Sequence, residues 1–153
     1  MGLFFVSSYL DQYRLHLPKY YALEWEYGFS QMVPFIMENK ERYEKIVITD
    51  RYDQPYILLL FCAKYDPIKY QQQSKKVMEG KFGFSTIASF DKFEFRPITK
   101  EEIPDGLNTL FVGTKDEFSE FDVPVKVINF PNNTPAFKIV GTWKRMELKL
   151  FLF

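Results

Sequence analysis

The sequence predicts a single α/β domain: a mixed β-sheet with flanking helices, a Rossmann-like or flavodoxin-like start and an antiparallel C-terminal hairpin. Three observations predict it. The β-branched run KIVIT at 45–49 leads into turn and helix signals, so a buried strand precedes a helix. A second buried run, NTLFVG, stands at 108–113. Two strand-like segments, 125–130 and 136–143, then flank Pro-Asn-Asn-Thr-Pro, a hairpin connection. A strand–helix–strand opening joined to an antiparallel end makes a mixed sheet.

The bulk composition agrees. A chain of 153 residues fits one domain with a real core. Its 19% aromatic content, led by 17 Phe and 10 Tyr, excludes a disordered tail. Twenty basic residues cancel twenty acidic ones. That balance argues against nucleic acid as a partner, which needs clustered positive charge, and against attachment to anionic lipid by charge alone. One cysteine, Cys62, leaves no disulfide framework and no zinc site within the chain. The single histidine, His16, has no nearby nucleophile or second His, so no catalytic role is expected of it, and no metal ligand or cofactor is expected.

Taken in order, residues 1–22 read as an irregular aromatic lead-in, with Pro18 breaking any helix. The single domain is expected over 23–153. Trp25, Phe29, Met32 or Val33, and Ile36 share one helix face, which Gly28 and Pro34 weaken towards a kink or a late start. After the 45–49 strand, Asp53 suits an N-cap and Pro55 a first helical turn, so 54–65 reads as helix. Asp66-Pro67 repeats the signal for a short helix to Gln73, and Gly80 and Gly83 mark a loop. Phe93-Glu94-Phe95 alternates as a strand does. Residues 97–106 read as a loop with at most a helical turn, and 115–121 as a short helix. The apolar end, Leu148 to Phe153, suits a paired strand or continuation into more protein. The longest apolar run, 56–63, is too short to span a bilayer.

Two clusters are candidate sites. The turn after the first strand brings Asp50, Arg51, Tyr52, Asp53, Gln54 and Tyr56 to the carboxyl end of a strand, where open α/β sheets bind ligands, although Arg51 also reads as a solvated side chain. Asp and Gln bond hydroxyls and Tyr faces stack on sugar rings; capping by Asp53 and packing by Tyr56 explain the same residues without a ligand. Lys64, Tyr65 and Asp66 form the second cluster, which a helix end followed by a helix start also explains. Gly80-Lys81-Phe82-Gly83 lacks the spacing of a phosphate loop. The paired acids Glu101-Glu102 and Asp116-Glu117 show nothing that sets one acid apart from another. Asn132-Asn133-Thr134 is formally a glycosylation acceptor, but a turn accounts for it.

Several stretches together resemble one family. They are Tyr43-Glu44-Lys45-Ile46-Val47-Ile48-Thr49-Asp50, Tyr52-Asp53-Gln54-Pro55-Tyr56-Ile57, Phe61, Lys64-Tyr65-Asp66-Pro67 and Tyr70-Gln71. Trp25-Glu26-Tyr27-Gly28, Phe90 through Ile98, and Phe137-Lys138-Ile139-Val140 extend the likeness. The pattern is similar to the soluble C-terminal domain of membrane glycosyltransferases of the protein mannosyltransferase and aminoarabinose transferase type. The resemblance implies a multi-span parent that uses a lipid-phosphate-linked sugar, with this chain as its non-catalytic extracytoplasmic domain. The implied partners are the membrane-embedded part of the same polypeptide and a glycan or lipid-linked sugar. The family's catalytic acids lie between membrane helices, so none is carried over here. Two other readings stand beside it: a free-standing carbohydrate- or small-ligand-binding module, and a small soluble enzyme using Asp50 and Asp53 as acid and base.

Overall fold

Among the described residues, seven strands form one mixed sheet in the order β2-β3-β4-β1-β5-β7-β6. The computed structural model describes residues 2–22, 25–52, 54–79, 85–103 and 108–142. The strands are β1 Lys45–Ile48, β2 Lys75–Glu79, β3 Ser85–Phe90, β4 Phe93–Phe95, β5 Thr109–Gly113, β6 Lys126–Asn129 and β7 Pro135–Gly141. Only the middle of the sheet is parallel: β1 pairs with β4 on one side and β5 on the other. The pairs β2·β3, β3·β4, β5·β7 and β6·β7 are antiparallel. The expected mixed α/β sheet is therefore present, with a hairpin at its C-terminal edge.

Alternation along the central strands divides the core. Ile46, Ile48, Leu110, Val112, Phe137 and Ile139 lie in the larger cluster. They pack against Phe29, Met32, Val33 and Ile36 of helix α3 (Phe29–Asn39) and Leu59 of helix α4 (Pro55–Ala63). Val47, Phe111 and Val140, one residue out of phase, pack with Ile98, Ile103 and Phe118 of the loops on the opposite side. Both faces are covered, which is why β1 and β5 read as unbroken apolar runs.

The α3 helix starts late. Gly28 adopts a left-handed φ of 103° as its N-cap, so Trp25 lies in the preceding turn and is exposed. The helix continues through Pro34 to Asn39. Pro55 opens α4 as expected, but Gln54 holds the N-cap position with φ 48° and no side-chain cap bond. Asp53, the expected cap, lies outside the described residues, as do the Gly80–Gly83 loop and the apolar end at 148–153. Helix α5 (Pro67–Gln73) begins where Asp66 accepts bonds from the amides of Ile68 and Lys69. The helix expected at 115–121 is a single 3₁₀ turn, Lys115–Glu117.

The N-terminal segment corrects the sequence reading. It is helical, not irregular: α1 (Gly2–Asp11), a π turn (Gln12–His16) and α2 (Leu17–Tyr20). Pro18 stands in the first turn of α2, where a missing N–H costs little. The amide of Leu17 bonds back to the carbonyl of Gln12, so the wider turn carries the chain into the proline. Every residue from 2 to 16 is exposed, and no described helix is long and apolar enough to cross a membrane.

Candidate functional site

The chain leaves β1 towards β4 and returns later to β5 on the other side. Loops that follow β1 and β5 therefore diverge, and the sheet opens a crevice between their carboxyl ends. A cleft of about 710 Å³ opens there. Arg51 and Tyr52 come from the loop after β1; Thr114, Lys115 and Asp116 come from the segment after β5. Glu26 arrives from the turn before α3. Phe130, Thr134, Pro135 and Ala136 come from the β6–β7 hairpin.

One buried acid fixes this geometry. Glu117 is 5% exposed and accepts hydrogen bonds from the loops after all three parallel strands. The Thr49 hydroxyl donates at 2.7 Å after β1, and the Ile98 amide at 3.4 Å after β4. The Thr114 amide and hydroxyl donate at 2.8 and 2.9 Å after β5, completing a capping box. Gly113 leaves room for it, since a Cβ there would lie 2.9 Å from Glu117 Oε2. Arg51 bridges outward, its Nε 3.9 Å from Glu117 and its Nη1 3.3 Å from exposed Asp116. The neighbouring acids 116 and 117, indistinguishable in sequence, thus have opposite surroundings.

Of the expected binding residues that the structure describes, Tyr52 is the one that also lines this cleft. It is 6% exposed, its ring edge-on to Phe29 at 5.5 Å and tilted over Phe137 at 4.9 Å. Burial first, then the charges of Glu26 and Glu117, push its phenol up to about 12. Its hydroxyl has no hydrogen-bond partner among the described residues. An unsatisfied buried hydroxyl costs about 1–3 kcal/mol.

The other expected residues that the structure describes do not converge there. Asp50 is half-buried in the same loop. Tyr56 turns away, stacked on Tyr70 at 6.5 Å and edge-on to Phe95, its hydroxyl donating to Gln54 Oε1 at 3.4 Å. Lys64, Tyr65 and Asp66 lie at the far end of α4, where the helix has returned to the amino ends of β1 and β4. There Tyr65 lies 3.1 Å from Asp91 and 3.0 Å from Gln73, and Lys40 pairs with Asp91. Exposed Lys64 closes α4 with φ 48°, and Asp66 caps α5. The two clusters are thus at opposite ends of the sheet. Glu26, Lys115 and Thr134 were not singled out as ligand-binding residues, because they meet only through the fold; Arg51 was placed in the turn but read as solvated.

Compared with protein-family models, curated proteins and solved structures, the chain matches none.

Proposed function

We propose that this chain is the non-catalytic soluble domain of a multi-span membrane glycosyltransferase that takes sugar from a lipid-phosphate carrier on the extracytoplasmic face. The observation that carries the reading is the uncovered helical segment ahead of the domain. Leu3, Phe4, Phe5, Val6, Tyr9 and Leu15 are each more than half exposed there, and no residue of α1 is buried. Apolar surface of this extent calls for a partner. The membrane-embedded part of the same polypeptide is the partner that the family resemblance supplies.

The test is to read the coding frame upstream of Met1. The expected result is several apolar stretches of about 20 residues each, the length that spans a bilayer. A frame that opens near Met1, with no such stretch, overturns the proposal. The switch-point cleft favours a second reading, a module that binds a small ligand, which is compatible with the first.

A further inference from the structure

We propose that the cleft between the carboxyl ends of β1 and β5 binds a neutral saccharide, contacted by Arg51, Tyr52, Lys115 and Thr134 against the apolar wall of Phe130. Its volume of about 710 Å³ falls within the range of small-molecule sites, roughly 300–1,000 Å³. Among the described residues, the lining carries two cations, Arg51 and Lys115, and two acids, Glu26 and Asp116. Directly behind them lies the Glu117 carboxylate. A free phosphate would gain from the cations but meet three carboxylates, and Arg51 is already drawn to two of them. A polyhydroxylated ring gains from both signs, because each hydroxyl donates and accepts.

The Tyr52 hydroxyl supplies the second, independent sign of a ligand. It belongs to a side chain more than nine-tenths buried in the cleft wall, and no described residue bonds it. A buried polar group left in this state points to a partner from outside the chain. Thr134 donates its own hydroxyl proton to Asn132 at 2.6 Å, which leaves its oxygen free to accept from a ligand. Phe130, tilted against Tyr27 at 6.1 Å, gives an aromatic face of the kind on which sugar C–H groups rest.

The choice of a saccharide among neutral hydroxylated ligands rests on the glycosyltransferase reading. The two fail separately: an upstream frame without spans removes the first, and no binding with that frame in place removes only this one. The experiment is an amide-shift titration of the labelled chain with the methyl α-glycosides of mannose, glucose and galactose, and with sodium phosphate in parallel. We expect at least one glycoside to shift the amides of Thr114, Lys115 and Thr134 in a saturable way, and phosphate to leave them unmoved. Tyr52→Phe and the exposed-site variant Lys115→Ala should each weaken that binding about 2- to 10-fold. Three results overturn the proposal: no glycoside response up to roughly 100 mM, a response to phosphate alone, or both variants binding as the parent chain does.

Discussion

The Thr49 hydroxyl donates to the Glu117 carboxylate at 2.7 Å, tying the end of β1 to the 3₁₀ turn that follows β5. Thr49 is fully buried and Glu117 nearly so. Glu117→Ala would strip four donor groups of their acceptor and leave Arg51 without its inner partner. The expected loss is about 2–4 kcal/mol in chemical denaturation. Glu117→Gln keeps one acceptor oxygen and should cost about half as much. A Glu117→Ala chain that unfolds at the parent's denaturant midpoint would show that the acid does not hold the three strand ends together.

Asp91 gives a pH-dependent test. Burial pushes its carboxyl up, but the bonded Lys40 ammonium, the Tyr65 hydroxyl and Lys92 outweigh this and hold it below its ordinary 3.8. A carboxylate lowered in the fold adds stability that is complete above its unfolded value and is lost as pH falls through the folded one. Asp91→Asn mimics the protonated acid, and Asn tolerates the left-handed φ of 49° at this position. The stability gap between parent and Asp91→Asn should therefore be widest near neutrality and close as pH falls below about 4. Denaturation midpoints measured from pH 7 down to acid decide it; a gap that stays constant with pH would rule out the ion pair as its source. Glu94 and Glu102, also lowered against the push of burial by Lys45 and Arg96, keep their own acid sensitivity in both chains.

Those charges are a feature that sequence alone could not pair, whereas much of the sheet was legible. β1 and β5 are buried on both faces, so their apolar runs stand out. The β6–β7 hairpin announces itself through the turn residues around Asn132. β2 was missed because Lys-Lys-Val-Met-Glu has no clear alternation, and its place at the sheet edge suits lysine. Trp25 sits at helical spacing from Phe29, yet Gly28 turns the chain before the helix begins. At the site, the loop after β1 was legible because strand ends have fixed positions. Glu117 was not, because burial, which separates it from Asp116, arises only when three distant loops close on it.

Alkali should destabilise the protein through buried Tyr52 and half-buried Tyr65. Tyr52 is raised to about 12, first by burial, and Tyr65 to about 12, first by burial and then by its bond to Asp91. A group raised in the fold adds stability that is present below its unfolded value, here 10.0, and is lost as pH rises through the folded one. Stability should therefore fall between pH 10 and about 12. Tyrosinate absorbance should show a late step that Tyr52→Phe diminishes. All ten tyrosines ionising together near pH 10, with the fold intact, would contradict this.

Gly28 tests the entry into α3. Its φ of 103° is strained for any residue with a Cβ, and that Cβ would lie 3.0 Å from Phe137 Cδ2 and 3.4 Å from Ile128 Cγ2. Gly28→Ala should destabilise the domain by about 1–3 kcal/mol. Gly2→Ala, where nothing lies within 4 Å, should be nearly neutral. Equal melting temperatures for the two variants would mean that α3 can start elsewhere.

Removing residues 2–16 separates the helical segment from the fold. Every one of them is exposed, so their loss takes no packing from the core. The shortened chain should keep the parent's denaturation midpoint within about 0.5 kcal/mol, the usual scale for changes remote from packed features. Its binding to neutral phosphatidylcholine vesicles should fall sharply, because Leu3, Phe4, Phe5 and Val6 go with it. Neutral vesicles matter here: the chain carries no net charge, so apolar contact is the interaction under test. A shortened chain that binds vesicles as well as the parent would place the contact surface on the domain itself. One that unfolds more readily would show that the segment packs on the domain, and the case for an uncovered helix awaiting a membrane partner would fall with it.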